Sequence, residues 1–326
     1  MVFFEYLKLE GEDLSGYIMK RLLQLIPVLI GVSIVVFLMV YLIPGNAAEV
    51  IAGPTATAEE VANISTKLGL DQPAYVQYFR YMAGVLRGDL GYSFQTGQAV
   101  SAAIAARYAN TFSLALFSAL IAVILGVTVG IISAVKQNSW FDHAVMSISI
   151  LGISAPTFWI GLLLIIIFCV DFKLLPISGL SDRLWSLDGI KHLILPAATL
   201  GFNSAAMIAR MTRSSVLEII HQDYIVTAKA KGLSQFVVIM KHALKNALIP
   251  ILTVVGIDFG NLLGGAVVVE SVFAINGIGR LMVQGIGARD FPMVQGTVLV
   301  VAVTFVLINL MVDIIYAYID PRISYN

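Results

Sequence analysis

LLQLIPVLIGVSIVVFLMVYLI, residues Leu22–Ile43, carries no charged side chain from end to end, and its reading decides the fold. Crossing ~30 Å of hydrocarbon takes about 20 mostly apolar residues in a helix. Five further runs meet that length: Thr111–Ala134, Val145–Val170, His192–Met211, Leu248–Val269 and Val294–Tyr318. The fourth is the weakest, rich in small residues and carrying Asn203. Lipid offers backbone amides no partners, so each run must be helical. A transmembrane β-barrel needs repeated alternating strands of about ten residues, and these runs are continuous instead. The expected fold is therefore all-α, a polytopic bundle of six transmembrane helices.

Composition agrees. The chain is 59% hydrophobic and 12% charged, with a mean hydropathy of +0.90. Soluble domains carry about 25% charged residues. Twenty basic and twenty acidic residues cancel, so no bulk field attracts nucleic acid. The single cysteine, Cys169, forms no internal disulfide and lies in an apolar run, where a thiol behaves as a small hydrophobe. Lys20 and Arg21 precede a first run about twice the length of a signal-peptide core, with no clean cleavage site, so it reads as a retained span. Residues 1–17 form an N-terminal extension of mixed composition outside the membrane domain, 18–326.

Orientation follows from the loops. Between spans four and five, Arg210, Arg213, Lys229, Lys231, Lys241 and Lys245 face only Glu218 and Asp223. That places the 212–247 loop in the cytoplasm and, by alternation, both termini with it. The loop 44–110 is then external.

The cytoplasmic loop has its own helical pattern. Val216, Ile219, Ile220, Ile225 and Val226 recur near helical spacing over Ser215–Ala230. Gly232 breaks the pattern as a glycine after a helix end does, and Ser234 is placed to cap a second helix reaching about Leu244. Two helices around a glycine with a basic face fit docking onto a protein partner; the same charge also fits anionic lipid. The stretch DYIVTAKAKGLSQFVVIMKHALKNALIP, Asp223–Pro250, goes further. It resembles the coupling-loop signature of ABC importer permeases in the form worn by the peptide/nickel branch, D-Y-x-x-T-A-x-A-K-G followed by H-A-L-x-N-A-L-I-P. The general E-A-A–x₃–G pattern is kept less well: Val226 and Thr227 stand for its Glu and first Ala. LIPG at Leu42–Gly45, LGLDQP at Leu68–Pro73, GDLGYS at Gly88–Ser93, GISAPTFWIG at Gly152–Gly161, ESVFAINGIG at Glu270–Gly279 and LINLMVDIIYAYIDPRI at Leu307–Ile323 resemble the same branch. Asn276 stands where the branch usually has proline, a departure expected to loosen a turn.

The resemblance implies the type I importer permease architecture in a bacterial inner membrane and one half of a pathway for peptides (dipeptide, oligopeptide or glutathione). A nickel-chelate cargo is the alternative within the branch. It also implies a second homologous permease chain, separate ATP-binding subunits that hold ATP and Mg, and an external substrate-binding protein. The sequence holds no G-x-x-x-x-G-K-[ST], so the chain is expected to be non-catalytic and to bind no cofactor of its own. The ATPase-coupling residues that the signature marks are Asp223, Tyr224, Thr227, Ala228, Ala230, Lys231, Gly232, Leu233, His242 and Leu244.

Polar groups inside spans are the candidate pathway residues. Asp258 sits near the middle of the fifth span, where a carboxylate facing lipid costs at least ~2.5 kcal/mol. It faces either cargo or a packing partner, as do Asn203 and Asn261. Arg210 and Arg213 are expected to snorkel to the interface, and Asp313 to reach the cytoplasmic interface. Gly256, Gly260 and Gly264 on the fifth span and Gly126 and Gly130 on the second have G-x-x-x-G spacing. For the second span the reading is packing within the chain; for the fifth, a subunit contact. Pro156 is placed to kink the third span. The four histidines are scattered without metal-ligand spacing. An ion-gradient transporter would need paired intramembrane charges and repeated halves; the sequence offers one central carboxylate and no repeat.

Overall fold

The computed structural model describes residues 2–42, 47–53, 55–180 and 186–319. LIPG beyond Leu42, the C-terminal DPRI and the side chain of Asp313 lie outside the described residues. Helix α1 runs over Val2–Tyr41, so the backbone of the N-terminal extension continues directly into the first span. Short helices α2 (Ala47–Ala52), α3 (Ala58–Leu68) and α4 (Ala74–Val85) follow, then a two-stranded hairpin of β1 (Tyr92–Ser93) and β2 (Gln98–Ala99). Next come α5 (Val100–Val135), α6 (Trp140–Ser154) and α7 (Thr157–Leu164), the last extended by a π-helical stretch, Ile165–Asp171. The remainder comprises α8 (Leu187–Ile220), α9 (Asp223–Ala230), α10 (Gln235–Val237), a π-helical stretch Val238–Ala243, α11 (Leu244–Val272), α12 (Ile278–Gly287) and α13 (Phe291–Ile319).

Five helices are long and apolar enough to cross a membrane, and six spans result when the bent pair α6 and α7 is taken as one. The chain forms two compact units, one of residues 1–110 and 276–307, the other of 111–275 and 308–326.

In the first unit, Val100, Ala103 and Ile104 of α5 are buried with Ile278, Leu281 and Met293. This explains why α5 starts at Val100 and not near Thr111: its first turn packs on protein, so membrane thickness does not set where the helix begins. The hairpin is fastened by Ser93, whose hydroxyl donates to the carboxylate of Asp290. Asp290 also accepts from the Met293 amide at 3.3 Å, capping α13. In the same unit the Asn110 amide holds the Asn276 carbonyl at 2.9 Å, so the expected loose turn is pinned at that residue.

The second unit is organised around α8. Its span is the least apolar, yet 61% of it is buried, against 17–39% for the other single-helix spans. Small residues allow this. A Cβ on Gly201 would sit 2.6 Å from the Ser118 carbonyl oxygen of α5, and one on Gly126 would sit 2.7 Å from the Ile208 Cβ. At Gly130 it would sit 2.6 Å from the Ala209 carbonyl oxygen. The second-span glycines thus pack within the chain, as their spacing suggests. On α11, Gly256 and Gly260 are buried, but the stripe opens at Gly264, where a Cβ would meet nothing within 4 Å.

The expected third span is two helices, α6 and α7, bent by 113° at their junction. Pro156 lacks the N–H that would continue α6 and forces its predecessor out of the helical region. Ala155 accordingly has ψ 135°, and the Trp159 amide begins α7 on the Pro156 carbonyl at 3.0 Å. Buried Cys169 donates its thiol to the Pro176 carbonyl at 3.4 Å, a weak bond that leaves it essentially a packing residue.

Candidate coupling surface and pathway site

The 215–230 stretch is not one helix. It breaks at His221 and Gln222, where α8 ends and α9 begins. The His221 ring nitrogen lies 2.7 Å from the Leu217 carbonyl oxygen, closing the end of α8. The second expected helix starts as predicted, with the Ser234 hydroxyl accepting from the Val237 amide at 3.4 Å. It then widens into the π-helical stretch and runs on as α11. The loop therefore grows directly out of two spans, α8 on one side and α11 on the other.

Between the helices, Gly232 has φ +77°, and a Cβ there would meet nothing within 4 Å. Glycine is required by the left-handed backbone, not by crowding. A small core closes the loop: Ile225, Ala228, Val238 and Ala243 are buried and pack with Ile219 and Ile220 at the end of α8. Asn246 donates its amide to the Tyr224 hydroxyl at 2.7 Å and to the His242 carbonyl at 3.2 Å, tying α9 to α11. Thr227 bonds the Asp223 carbonyl at 2.9 Å within α9.

Once Ile225 and Val238 face inward, other apolar side chains must face out. Tyr224, Val226, Leu233, Phe236 and Met240 are exposed, Phe236 by 72%. Lys229, Lys231 and Lys241 are exposed among them. Of the signature residues, Asp223, Tyr224, Thr227, Ala230, Lys231, Gly232 and Leu233 lie on the open surface; His242 and Leu244 are half-buried. Ala228 belongs to the loop core. Reasoning from sequence passed over Phe236 and Met240. The run FVVIM, Phe236–Met240, held the signal, since five consecutive apolar residues cannot all face one core.

The candidate pathway residues separate. Asp258 of α11 is 7% exposed, with Ser204 of α8 and Asn261 as its hydrogen-bonding neighbours. Asn261 itself is exposed. Asn203 points elsewhere, since adjacent residues on a helix project about 100° apart. Its amide donates to the Gly152 and Ile153 carbonyls of α6 at 3.4 and 3.3 Å. Ser204, which holds Asp258, and Asn203 thus stand on different faces of α8, and Asp258 and Asn203 form no common site. Glu270, fully buried near the end of α11, accepts from the Thr111 hydroxyl at 2.6 Å and was not singled out in the sequence.

Arg213 corrects another expectation. It does not snorkel but chelates Asp142 of α6, with Nε–Oδ1 at 2.5 Å and Nη2–Oδ2 at 2.7 Å. Asp142 is 1% exposed and also accepts from the Ser133 hydroxyl and, at 3.0 Å, from the Asn138 amide. A buried carboxylate needs such pairing, and here the partner lies 71 residues away in sequence.

Comparison with known proteins agrees with this architecture. The family described as binding-protein-dependent transport system inner membrane component matches residues 126–325. The companion N-terminal family of such membrane components matches residues 14–115. The dipeptide transport system permease protein DppB of Alkalihalophilus pseudofirmus is 48% identical over 333 residues, covering 95% of this chain and 99% of the relative. The glutathione transport system permease protein GsiC is 46% identical over 311 residues in Salmonella paratyphi A and 45% in Escherichia coli K12, with the same coverage. An inward-facing structure of the MetNI methionine ABC transporter shares the fold at TM-score 0.55 and 22% identity, covering 67% of this chain and 96% of that one. The chain is therefore a multi-pass membrane permease belonging to the binding-protein-dependent transport system inner membrane component family.

Proposed function

We propose that this chain forms half of the pathway of an ATP-driven importer of small peptides, dipeptides or glutathione. The observation that carries the cargo class is near-full-length similarity to permeases named for dipeptide and for glutathione transport. A separate ATPase docks on the loop 212–247 around Gly232, which places the loop and both termini in the cytoplasm. Support for the docking surface comes from its form: exposed apolar side chains and lysines mounted on a closed core. A docking element that transmits force has to be stiff, and the Tyr224–Asn246 bond and the Ile225 core make it so. A second homologous permease chain completes the pathway, and an external binding protein delivers cargo to the loop 44–110. Within the membrane, Asp258 offers a carboxylate to the positive group of the cargo.

The test is purification of the chain from native membranes in mild detergent, followed by uptake of labelled dipeptide and glutathione into proteoliposomes. Recovery of a second six-span chain with Walker-motif proteins, and ATP-dependent uptake of either cargo, is the expected result. Recovery of the chain alone, active on an ion gradient, would overturn it.

A further inference from the structure

The geometry points to α6 and the loop-proximal half of α8 moving as one body, with Asp142, Arg213 and Asn203 as positioning residues that carry the transport stroke to the break at Pro156. The inference rests on the importer reading above.

Two fastenings hold α6 to α8, one at each end. At its start, Asp142 is chelated by Arg213 and held by Ser133 and the Asn138 amide. At its end, Asn203 donates to the carbonyls of Gly152 and Ile153. Those carbonyls belong to the last turn of α6, where acceptors lose their helical donors. The loss at Gly152 has a specific cause: its donor would be the amide of residue 156, which is proline. Asn203 offers long hydrogen bonds in its place from a neighbouring helix, at 3.4 and 3.3 Å.

The spacing of the two fastenings matches. Asp142 to Gly152 and Asn203 to Arg213 are each ten residues, about 15 Å along a helix axis. Two antiparallel helices joined at two points of equal separation resist sliding, because any shift along the axis breaks both. Contact between the fastenings is close as well: a Cβ on Gly152 would sit 2.9 Å from Phe202 Cε1 and 3.4 Å from Ala206 Cβ.

From Phe202 to Ile220, α8 contains no glycine or proline, so it is a stiff rod. It ends in Ile219 and Ile220, which pack against the core of the coupling loop. A displacement of the loop therefore reaches Arg213 and Asn203 without loss, and through them α6. Beyond α6 the continuity stops. Ala155 is extended, Pro156 provides no amide, and α7 leaves at 113° to pack by Gly161 against Thr199, Val272 and Phe273. The Ala155–Pro156 junction is where relative motion is taken up.

The experiment uses the assembled transporter with Cys169→Ser and pairs of nitroxide labels. Trp140→Cys on α6 is paired with Met207→Cys on α8 or with Leu162→Cys on α7; all three positions are exposed. Electron-spin distances are compared without nucleotide and after trapping with ATP and vanadate. The 140–207 distance is expected to stay fixed while the 140–162 distance shifts. A change in 140–207, or an unchanged 140–162 distance, overturns the inference. As a second readout, Asp142→Asn should lower cargo uptake per ATP hydrolysed about tenfold; a ratio of uptake to hydrolysis unchanged from the unsubstituted complex would also overturn it. A complex that hydrolyses no ATP at all would instead refute the importer reading, which separates the two failures.

Discussion

The Tyr224 hydroxyl on α9 accepts the Asn246 amide of α11 at 2.7 Å, a bond that closes the loop 212–247 on itself across the turn at Gly232. A single hydrogen bond of this kind contributes about 1 kcal/mol, or roughly fivefold in an equilibrium. Asn246→Leu and Tyr224→Phe should each reduce co-purification of the ATPase by about that factor. The double substitution should cost no more than either alone, because both remove the same bond. Additive losses in a pull-down titration would show that the residues act separately.

Gly130 and Gly264 should respond in opposite ways to an added side chain. At Gly130 a Cβ would meet the Ala209 carbonyl at 2.6 Å and the Thr212 Cβ at 2.7 Å, so Gly130→Leu overpacks the α5–α8 contact. A loss of ~1–3 kcal/mol is expected, seen as a lower unfolding temperature in detergent. Gly264→Ala meets open space and should be neutral or raise stability by up to ~1 kcal/mol, since alanine favours the helix.

Asp258 is held by Ser204 and Asn261, so its replacement distinguishes cargo binding from packing. Asp258→Asn keeps the shape and removes the charge. Uptake should fall about tenfold, roughly 1.4 kcal/mol, with the complex still assembled. Ser204→Ala should leave cargo affinity within a few-fold. Dissociation of the complex on Asp258→Asn would assign the carboxyl to packing alone.

Glu60 gives α3 a pH dependence. The Thr57 amide and hydroxyl both donate to its carboxylate, at 2.8 and 3.0 Å, and Glu60 returns its own amide to the Thr57 hydroxyl. These bonds, the backbone one foremost, hold its carboxyl below the ordinary glutamate range. The capping box is therefore fully formed above that range and is lost as pH falls through the lowered value. Hydrogen-exchange protection in the first turn of α3, corrected for intrinsic rates, should drop in acid. Thr57→Val should remove the protection at neutral pH as well.

Local chemistry made part of this molecule readable in advance. Continuous apolar runs marked the spans because bilayer thickness sets their length. Gly232 and Ser234 announced a left-handed turn and a helix cap, and Pro156 announced the break in the third span, since each acts on its own backbone. Long-range partners were not readable in this way. Arg213 looks like any interfacial arginine until α8 brings it to Asp142. Asn203 looks like a pathway amide until the Pro156 break leaves carbonyls beside it. The break at His221 and Gln222 was hidden because the apolar spacing continues across it while the backbone turns.

The burial of α8 has a consequence for biogenesis. A span this rich in small and polar residues gains little from lipid on its own, and insertion scales charge heavily for each polar group at the centre of a lone helix. Its stability comes from α5, α6 and α11, the last of which is translated after it. During synthesis α8 must therefore wait beside the translocon, or in the company of α5 and α6, until α11 emerges. Shortening the chain before residue 244 should leave a fourth span that slips back out of the bilayer, a vulnerable moment at which membrane quality control can intercept a stalled chain.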